Sequence, residues 1–397
     1  MISRIALAAT LLFSTTAFAQ ALDPLRTVSG TTPHTGLTTP WIASRAGGWT
    51  FFHGFDAHVT YASQTGPEEQ ENDVFSTNWI TAGLERDLGN RGFILVRGRV
   101  SLEPYTIEDT YPQIFQYVGA ENNGERLVNR MRGHDLFGEA GVQIGWRPTT
   151  NTLLHAYGAV VGQPALGPAP AQLRASGVDF AEAPFSYDIA ETYSDSTSVI
   201  TGGFATRWLA VDASVFHDAN TTGDHTELDS GDIDSRSARV TITPTPNFAL
   251  QYSRGELGED LAQRDITSAS VTYGGPMVAV TALWTRREYD ERVARLPETA
   301  YGFELALRGS RNTFMARVEH MDRPVGFPFP PPPATATVDT ATHYTAGYLF
   351  DFTSGPNYRL GVGVNVDYRT RTRELEEVYG HKPQGIYTFV RFRTGGI

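Results

Sequence analysis

One rhythm dominates the chain: segments of about ten residues in which apolar and polar side chains alternate, joined by connections that are alternately very short and long. Leu360, Val362, Val364, Val366 and Tyr368 fall on one face, while Gly361, Gly363, Asn365, Asp367 and Arg369 fall on the other, because successive strand side chains point to opposite sides. One face suits hydrocarbon and the other suits water. The pattern predicts an all-β fold, a closed antiparallel transmembrane β-barrel of about 16 strands with long extracellular loops and short periplasmic turns.

The expected strands run over 49–62, 75–88, 93–102, 136–146, 153–161, 197–208, 209–216, 238–243, 248–253, 266–273, 277–285, 301–307, 314–319, 344–352, 358–368 and 386–392. Tight turns are expected at Gly89-Asn90-Arg91-Gly92, Pro148-Thr149-Thr150-Asn151, Pro244-Thr245-Pro246-Asn247, Gly309-Ser310-Arg311-Asn312 and Ser354-Gly355-Pro356-Asn357. An even strand number leaves both ends of the barrel on the short-turn side. A soluble sandwich or propeller does not predict this alternation of connections, and no propeller period recurs. The chain ends Arg393-Thr394-Gly395-Gly396-Ile397 without a terminal aromatic, although Phe389 and Phe392 lie just inside.

The mean hydropathy of -0.27 would suggest a soluble protein if the fold were helical. A barrel shows lipid only every second strand residue, so low hydropathy is compatible with full embedding. The 11% aromatic content and 39 glycines fit aromatic girdles and close strand packing. At the start, Arg4, the apolar run Ile5 to Phe13 and Ala17-Phe18-Ala19 before Gln20 have the layout of an export signal. The expected organisation is a signal peptide over 1–19, an N-terminal periplasmic segment over 20–48 and an outer-membrane barrel over 49–397. The segment 20–48 is too short to fill a barrel, so neither a plug domain nor energised uptake by this chain alone is expected.

The chain has no cysteine, which excludes disulfide staples, thiolate metal sites and cysteine nucleophiles. A net charge of -12 argues against nucleic acid, whose phosphates call for clustered Lys and Arg. Much of the acid lies in two predicted loops, one carrying Glu68, Glu69, Glu71 and Asp73 and the other Asp224, Glu227, Asp229, Asp232 and Asp234. Phe327-Pro328-Phe329 leading into Pro330 to Pro333 reads as a stiff exposed loop tip.

A barrel of this size encloses an aqueous lumen unless loops fold into it. Arg97, Arg99, Glu139, Glu304, Arg308, Arg317, Glu319, Asp367, Arg369, Arg391 and Arg393 alternate with apolar neighbours and are expected to point inward. Two long excursions, from Glu103 to His134 and from Gly162 to Ser194, combine prolines and glycines with a few polar groups, as expected of an inward-folded constriction or cap. The candidate constriction residues are Glu103, His134, Asp135, Asp195, Arg97 and Arg99. Fixed carboxylates there would favour cations, and an imidazole would respond to pH.

Several of these segments carry a resemblance: Phe52-His53-Gly54, Ser101-Leu102-Glu103-Pro104, His134-Asp135-Leu136-Phe137, Gly162 to Pro168, Asp195-Ser196-Thr197, Asp234-Ser235 with Ala238-Arg239, and Tyr379-Gly380. From Gly48 to Phe392 the chain resembles an uncharacterised Gram-negative outer-membrane β-barrel family, porin-like and with histidine-rich members. The resemblance implies His-Pro-His-Asp where this chain has Arg132-Gly133-His134-Asp135, a histidine pair near Ser186-Tyr187, and a histidine where Ser198 stands. Of the metal site that set would build, this chain keeps His53 and His134, with Asp135 as an oxygen ligand, fewer than the four donors a transition metal usually takes.

A hydrolase is the other class to weigh, with Asp195, Ser196 and His134 as the residues available to it. Neither Gly-x-Ser-x-Gly nor His-Glu-x-x-His occurs. The expectation is therefore a non-enzymatic, porin-like channel without a cofactor, passing small polar solutes or ions through a loop-narrowed lumen. Its expected partners are outer-membrane lipid, a small polar solute or cation, and further copies of itself by fold-level analogy. The alternatives are a metal-binding barrel and, less favoured, an outer-membrane hydrolase.

Overall fold

All sixteen expected strands are present in the computed structural model, and they close into one antiparallel barrel. The structure describes residues 22–36, 41–65, 71–107, 121–122, 125–126, 134–191, 195–218, 225–228, 231–258, 263–290, 296–324, 338–355, 357–371 and 383–395. The strands are β1 (Trp49–Thr65), β2 (Glu71–Leu88), β3 (Gly92–Val100), β4 (Phe137–Thr149), β5 (Thr152–Val161), β6 (Thr197–Thr206), β7 (Leu209–His217) and β8 (Ser235–Thr245). They continue as β9 (Phe248–Leu257), β10 (Arg264–Gly274), β11 (Val278–Tyr289), β12 (Glu298–Arg308), β13 (Asn312–Pro324), β14 (Val338–Ser354), β15 (Tyr358–Arg371) and β16 (Gln384–Thr394). Every second connection is a turn of only two or three residues. The expected signal peptide, the Phe327–Pro333 run, Tyr379-Gly380, Arg132-Gly133 and the loop acids Glu68, Glu69, Asp224 and Asp229 lie outside the described residues.

A membrane-spanning sheet cannot leave backbone N–H and C=O groups unpaired in hydrocarbon, so its first and last strands must meet. Here β16 pairs with β1 from Gln384 opposite Thr65 to Thr394 opposite Phe55. Below that point β16 has ended, and a short strand, Ile42–Ala46, takes over the same edge of β1, with Ile42 opposite His53 and Ala46 opposite Trp49. The hairpin that brings it there turns through Gly47 and Gly48 at φ of 59° and 80°. Both values lie in the left-handed region that a two-residue turn of this hand needs and that glycine enters without a Cβ penalty.

Outward positions expose Val59, Val74, Ile144, Val160, Ile200, Val366, Ile386 and Val390, alternating with buried neighbours. A continuous apolar belt around the whole barrel far exceeds the patches a soluble surface carries, and it fits acyl chains. Aromatic rings rim it at both ends. Trp146, Trp208, Phe314, Phe352 and Tyr358 lie at the short-turn end and Tyr61, Tyr301, Tyr344 and Tyr368 toward the long-loop end, all exposed. Their rings bridge apolar and hydrated layers. Phe392 belongs to the short-turn rim, so the girdle has an aromatic on the last strand although the chain ends without one. The longest strand, β2, has 18 residues, against the roughly 9–11 that cross hydrocarbon; the strands project beyond the apolar belt.

The lumen is occupied by chain. Residues 22–36, part of the stretch read as an N-terminal periplasmic segment, enter the barrel from the short-turn end, where the Arg147 guanidinium donates to the Leu22 carbonyl at 3.2 Å. They form a small hairpin, Thr27–Ser29 against Thr32–Pro33, and return to the short-turn end, where Gly36 N–H donates to the Pro246 carbonyl at 3.3 Å. The stretch is short, yet it lies among inward arginines that take up its backbone carbonyls. Leu22 packs with Trp41, Phe52, Phe93, Leu95 and Leu153 at the base.

Candidate functional site

The inward-pointing residues expected from the alternation are in place. Arg97, Arg99, Glu139, Glu304, Arg308, Arg317, Glu319, Asp367, Arg369, Arg391 and Arg393 are all buried inside the barrel. Charges this deep need partners. The wall supplies some, and two inserted segments supply the rest.

The first insert is the 22–36 hairpin. Arg97 makes a two-pronged contact with Glu139, at 3.0 and 2.8 Å. Its remaining N–H groups donate at 2.7 Å to the carbonyls of Thr27 and Gly30. Arg99 donates to the Val28 carbonyl and lies 3.4 Å from Glu139. Glu139 in turn accepts from Tyr157 Oη at 2.9 Å and from Gly30 N–H at 3.1 Å. Arg239 holds the far side through the hydroxyls of Thr32 and Thr31 at 2.6 and 2.8 Å. Arg97 and Arg99, read as constriction residues, thus act here on the hairpin.

The second insert is the long connection between β5 and β6. It runs along and across the lumen and is hydrogen-bonded to the wall at each step. Ala165 N–H donates to Ser214 Oγ at 2.7 Å and Gly167 N–H to Ser253 Oγ at 2.8 Å. Arg174 binds Glu304 with two N–H groups at 3.1 and 2.6 Å and Glu191 at 2.5 Å. Asp179 accepts from Arg391 at 2.5 Å, Arg393 at 2.7 Å and Arg308 at 2.7 Å. Further on, Glu319 accepts from the Phe185 and Ser186 N–H groups at 2.8 and 2.9 Å and from Ser186 Oγ at 2.6 Å. Burial alone would raise the Asp179 pKa, but Arg308, Arg393 and Arg391 hold it well below the ordinary carboxylate value. Glu182 has fewer partners, and burial pushes it up to about 7 against the pull of Arg317.

The two inserts meet at Gly30, whose φ is 50° and where a Cβ would stand 2.2 Å from the Gln163 carbonyl oxygen. Only glycine permits that approach. Between the second insert and the wall formed by β1, β2 and β16, two cavities lie end to end. The one nearer the short turns, about 70 Å3, is lined by His34, Trp41, Phe55, Asp56, Trp79, Leu173, Arg174 and Arg393 among others. The one nearer the long loops, about 40 Å3, is lined by Asp56, His58, Glu103, His134, Phe180, Glu182 and Arg317 among others. Asp56, Trp79, Gln172 and Val178 line both.

Of the sequence candidates, Glu103 and His134 come together at the long-loop mouth of this route. Glu103 opens a one-turn helix, Glu103–Thr106, with Pro104 in its first turn. Its Oε2 accepts from His134 N–H at 2.9 Å and lies 2.6 Å from His134 Nδ1. The His134 ring packs edge-on against Trp79 and Tyr187, at 4.8 and 5.2 Å between centroids. Asp135 turns instead to His225, 2.6 Å from its Nδ1. Asp195 is buried and its charge acts on Arg99, but it lines neither cavity.

The ligand set His53, His134 and Asp135 does not assemble. His53 is exposed on the outer face of β1 while His134 is buried in the lumen, since residue 53 falls on the lipid side of the strand alternation. Among the described residues no group of three His, Asp or Glu is placed to hold a metal. The site residues that sequence reasoning missed are Asp56, His58 and Glu182. Nothing in their local pattern separates them from other inward or loop polar groups.

A family model described as Gram-negative porin matches residues 6–371. No curated protein matches the sequence. Among solved structures, the chain is similar to Salmonella typhi OmpF in complex with daunomycin, with a TM-score of 0.54 and 10% identity over 89% of this chain and 100% of that one. It is similar to the anion-selective porin from Comamonas acidovorans, with a TM-score of 0.53 and 10% identity, again over 89% and 100%. The loop L8 deletion mutant of Vibrio cholerae OmpT matches with a TM-score of 0.50 and 8% identity over 86% and 99%. At such identities the likeness concerns the fold alone.

Proposed function

The chain belongs to the Gram-negative porin family and resides in the outer membrane, and from that premise we propose that it passes small polar solutes or ions through a lumen narrowed by the 22–36 hairpin and the β5–β6 connection. The observation that carries this reading is the pair of cavities placed end to end along β1, β2 and β16, reaching from Trp41 and Thr394 to Glu103 and His134. A water needs about 10–15 Å3 of such space, so the route holds a few waters side by side at most. Transport is then limited to small solutes and is slow for a barrel of this strand number.

Glu103 and His134 form the outer rim of the route, with Asp135 and Asp195 adding negative charge behind it. Arg97 and Arg99 set its width indirectly by holding the hairpin. Three carboxylates (Asp56, Glu103 and Glu182) and three guanidiniums (Arg174, Arg317 and Arg393) line the two cavities. The cation preference suggested by the rim is therefore balanced farther in, and selectivity between K+ and Cl- is weak. The reading is of a channel, not an enzyme, and needs no cofactor. The test is reconstitution of the purified protein in planar bilayers: discrete conductance steps smaller than those of an unobstructed barrel are expected, with a reversal potential near zero in a KCl gradient. A protein that inserts but stays silent over the full voltage range would contradict it. Removal of residues 1–19 on export belongs to the same reading, and a mature mass beginning at Gln20 checks it.

A further inference from the structure

The cavity nearer the long loops contains buried polar atoms that the protein itself does not use. Arg317 is 1% exposed, Glu182 3% and His58 3%, and all three line this cavity. Arg317 spends Nη1 on the Glu182 carbonyl oxygen at 3.3 Å and has Nε 3.4 Å from Glu304, with its guanidinium over the Phe180 ring at 4.0 Å. Its Nη2 has no hydrogen-bond partner among the described residues. Glu182 gives one oxygen to Asn365 at 2.6 Å, while its Oε1 has no such partner, and neither has His58 Nε2. A buried polar group without a partner is costly to maintain, and three of them around one space point to something that fills it.

The unused atoms have a definite chemistry. Arg317 Nη2 offers donors and asks for an acceptor, best a carboxylate. Glu182 Oε1, once the carboxyl is ionised, is an acceptor and asks for a donor, best an ammonium, whose positive charge itself favours that ionised form. The other carboxylates lining the cavity are already matched: Asp56 with Arg393 and His58, and Glu103 with His134. A free anion or a free cation would satisfy one unused group and leave the other exposed to nothing, whereas a molecule carrying both charges satisfies the two and adds no net charge.

We propose that this cavity is a binding subsite for a small zwitterion of amino-acid type, its carboxylate on Arg317 and its ammonium on Glu182. The proposal deepens the channel reading, on which it rests for the route by which the ligand arrives. The space of about 40 Å3 takes the equivalent of roughly three waters, which suits the smallest members of the class. Phe180, Ala181, Ala183 and Pro184 provide the apolar side of the wall.

Isothermal titration of the detergent-solubilised, full-length mature protein with glycine, acetate and methylammonium tests this directly, and KCl conductance of the same preparation tests the channel separately. Saturable glycine binding is expected, with acetate and methylammonium each at least about tenfold weaker. Glu182→Gln should weaken glycine about tenfold while leaving acetate unchanged, and Arg317→Lys should weaken glycine and acetate together; resistance to SDS before heating reports whether each variant is folded. Absence of saturable glycine heat from the wild-type protein, or equal affinity for glycine and acetate, overturns the proposal whether or not the protein conducts. Glycine binding by a protein that does not conduct would uphold the subsite and remove the channel.

Discussion

Asp179 is the residue on which the lumenal filling turns. One carboxylate receives Arg308 from β12 and Arg391 and Arg393 from β16, so it ties the β5–β6 connection to two separate parts of the barrel wall. Replacing it by asparagine removes the shared counter-charge from three buried guanidiniums, of which Arg391 keeps Asp351 and Arg393 keeps Asp56. We expect Asp179→Asn to destabilise the fold by about 3 kcal/mol, read as an earlier thermal midpoint in detergent, and to make single-channel current noisier. The pH dependence has opposite signs at two positions. A carboxyl held low contributes stability that is present above the unfolded pKa and is lost only as pH falls through its folded value, so the Asp179 tie should survive mild acid. Glu182 is raised from 4.5 to about 7, so its folded environment favours the protonated form and stability declines as pH rises through that range. It faces Arg317 of β13, Asp367 of β15, Asp56 and His58 of β1, and Glu103 with His134 at the mouth. Glu182→Gln should therefore gain on the wild type in thermal midpoint as pH rises from about 4.5 to 7, with the difference levelling off above that, and a constant difference across that range would count against the shift.

At the scale of elements, the 22–36 hairpin is the separable part. It crosses no lipid and pairs with no transmembrane strand, and it is held by side chains of β3, β4 and β8. Gly30→Val introduces a Cβ into the 2.2 Å gap at the Gln163 carbonyl and into a left-handed backbone position. It should loosen the hairpin and raise mean conductance while barrel assembly, read by heat-modifiable mobility, stays intact. The strands were legible in the sequence because period-two alternation and turn residues are local signals; Gly361 to Arg369 can be placed inward without any other part of the chain. The hairpin was not legible. Thr27 to Thr32 have no period of their own, and what keeps them in the lumen is Arg97, 70 positions away, and Arg239, 207 away. Glu103 and His134 were found because rigid Pro and Gly neighbours marked their segments. Asp56, His58 and Glu182 look like any other polar group on a strand or loop, and only the path of the β5–β6 connection across the lumen decides which wall residues border open space.

For the molecule as a whole, two solvents fix the design. Valines and aromatics meet acyl chains outside, and charge networks meet the inserts inside, so substitutions on the two faces should fail differently. Val362→Arg, on the lipid face, should cost about 2–4 kcal/mol if it lies near the bilayer midplane, seen as poorer folding into lipid vesicles with unchanged current from the molecules that do fold. Changes at Asp179 or Gly30 should alter current first. The account's central claim is that a porin-family barrel conducts through a route left beside two inserted segments. Single-channel recording of the wild type and of a variant lacking residues 22–36 tests it most directly. Small discrete steps that become severalfold larger in the deletion are predicted, and identical steps in both proteins, or silence from both after verified insertion, would contradict it.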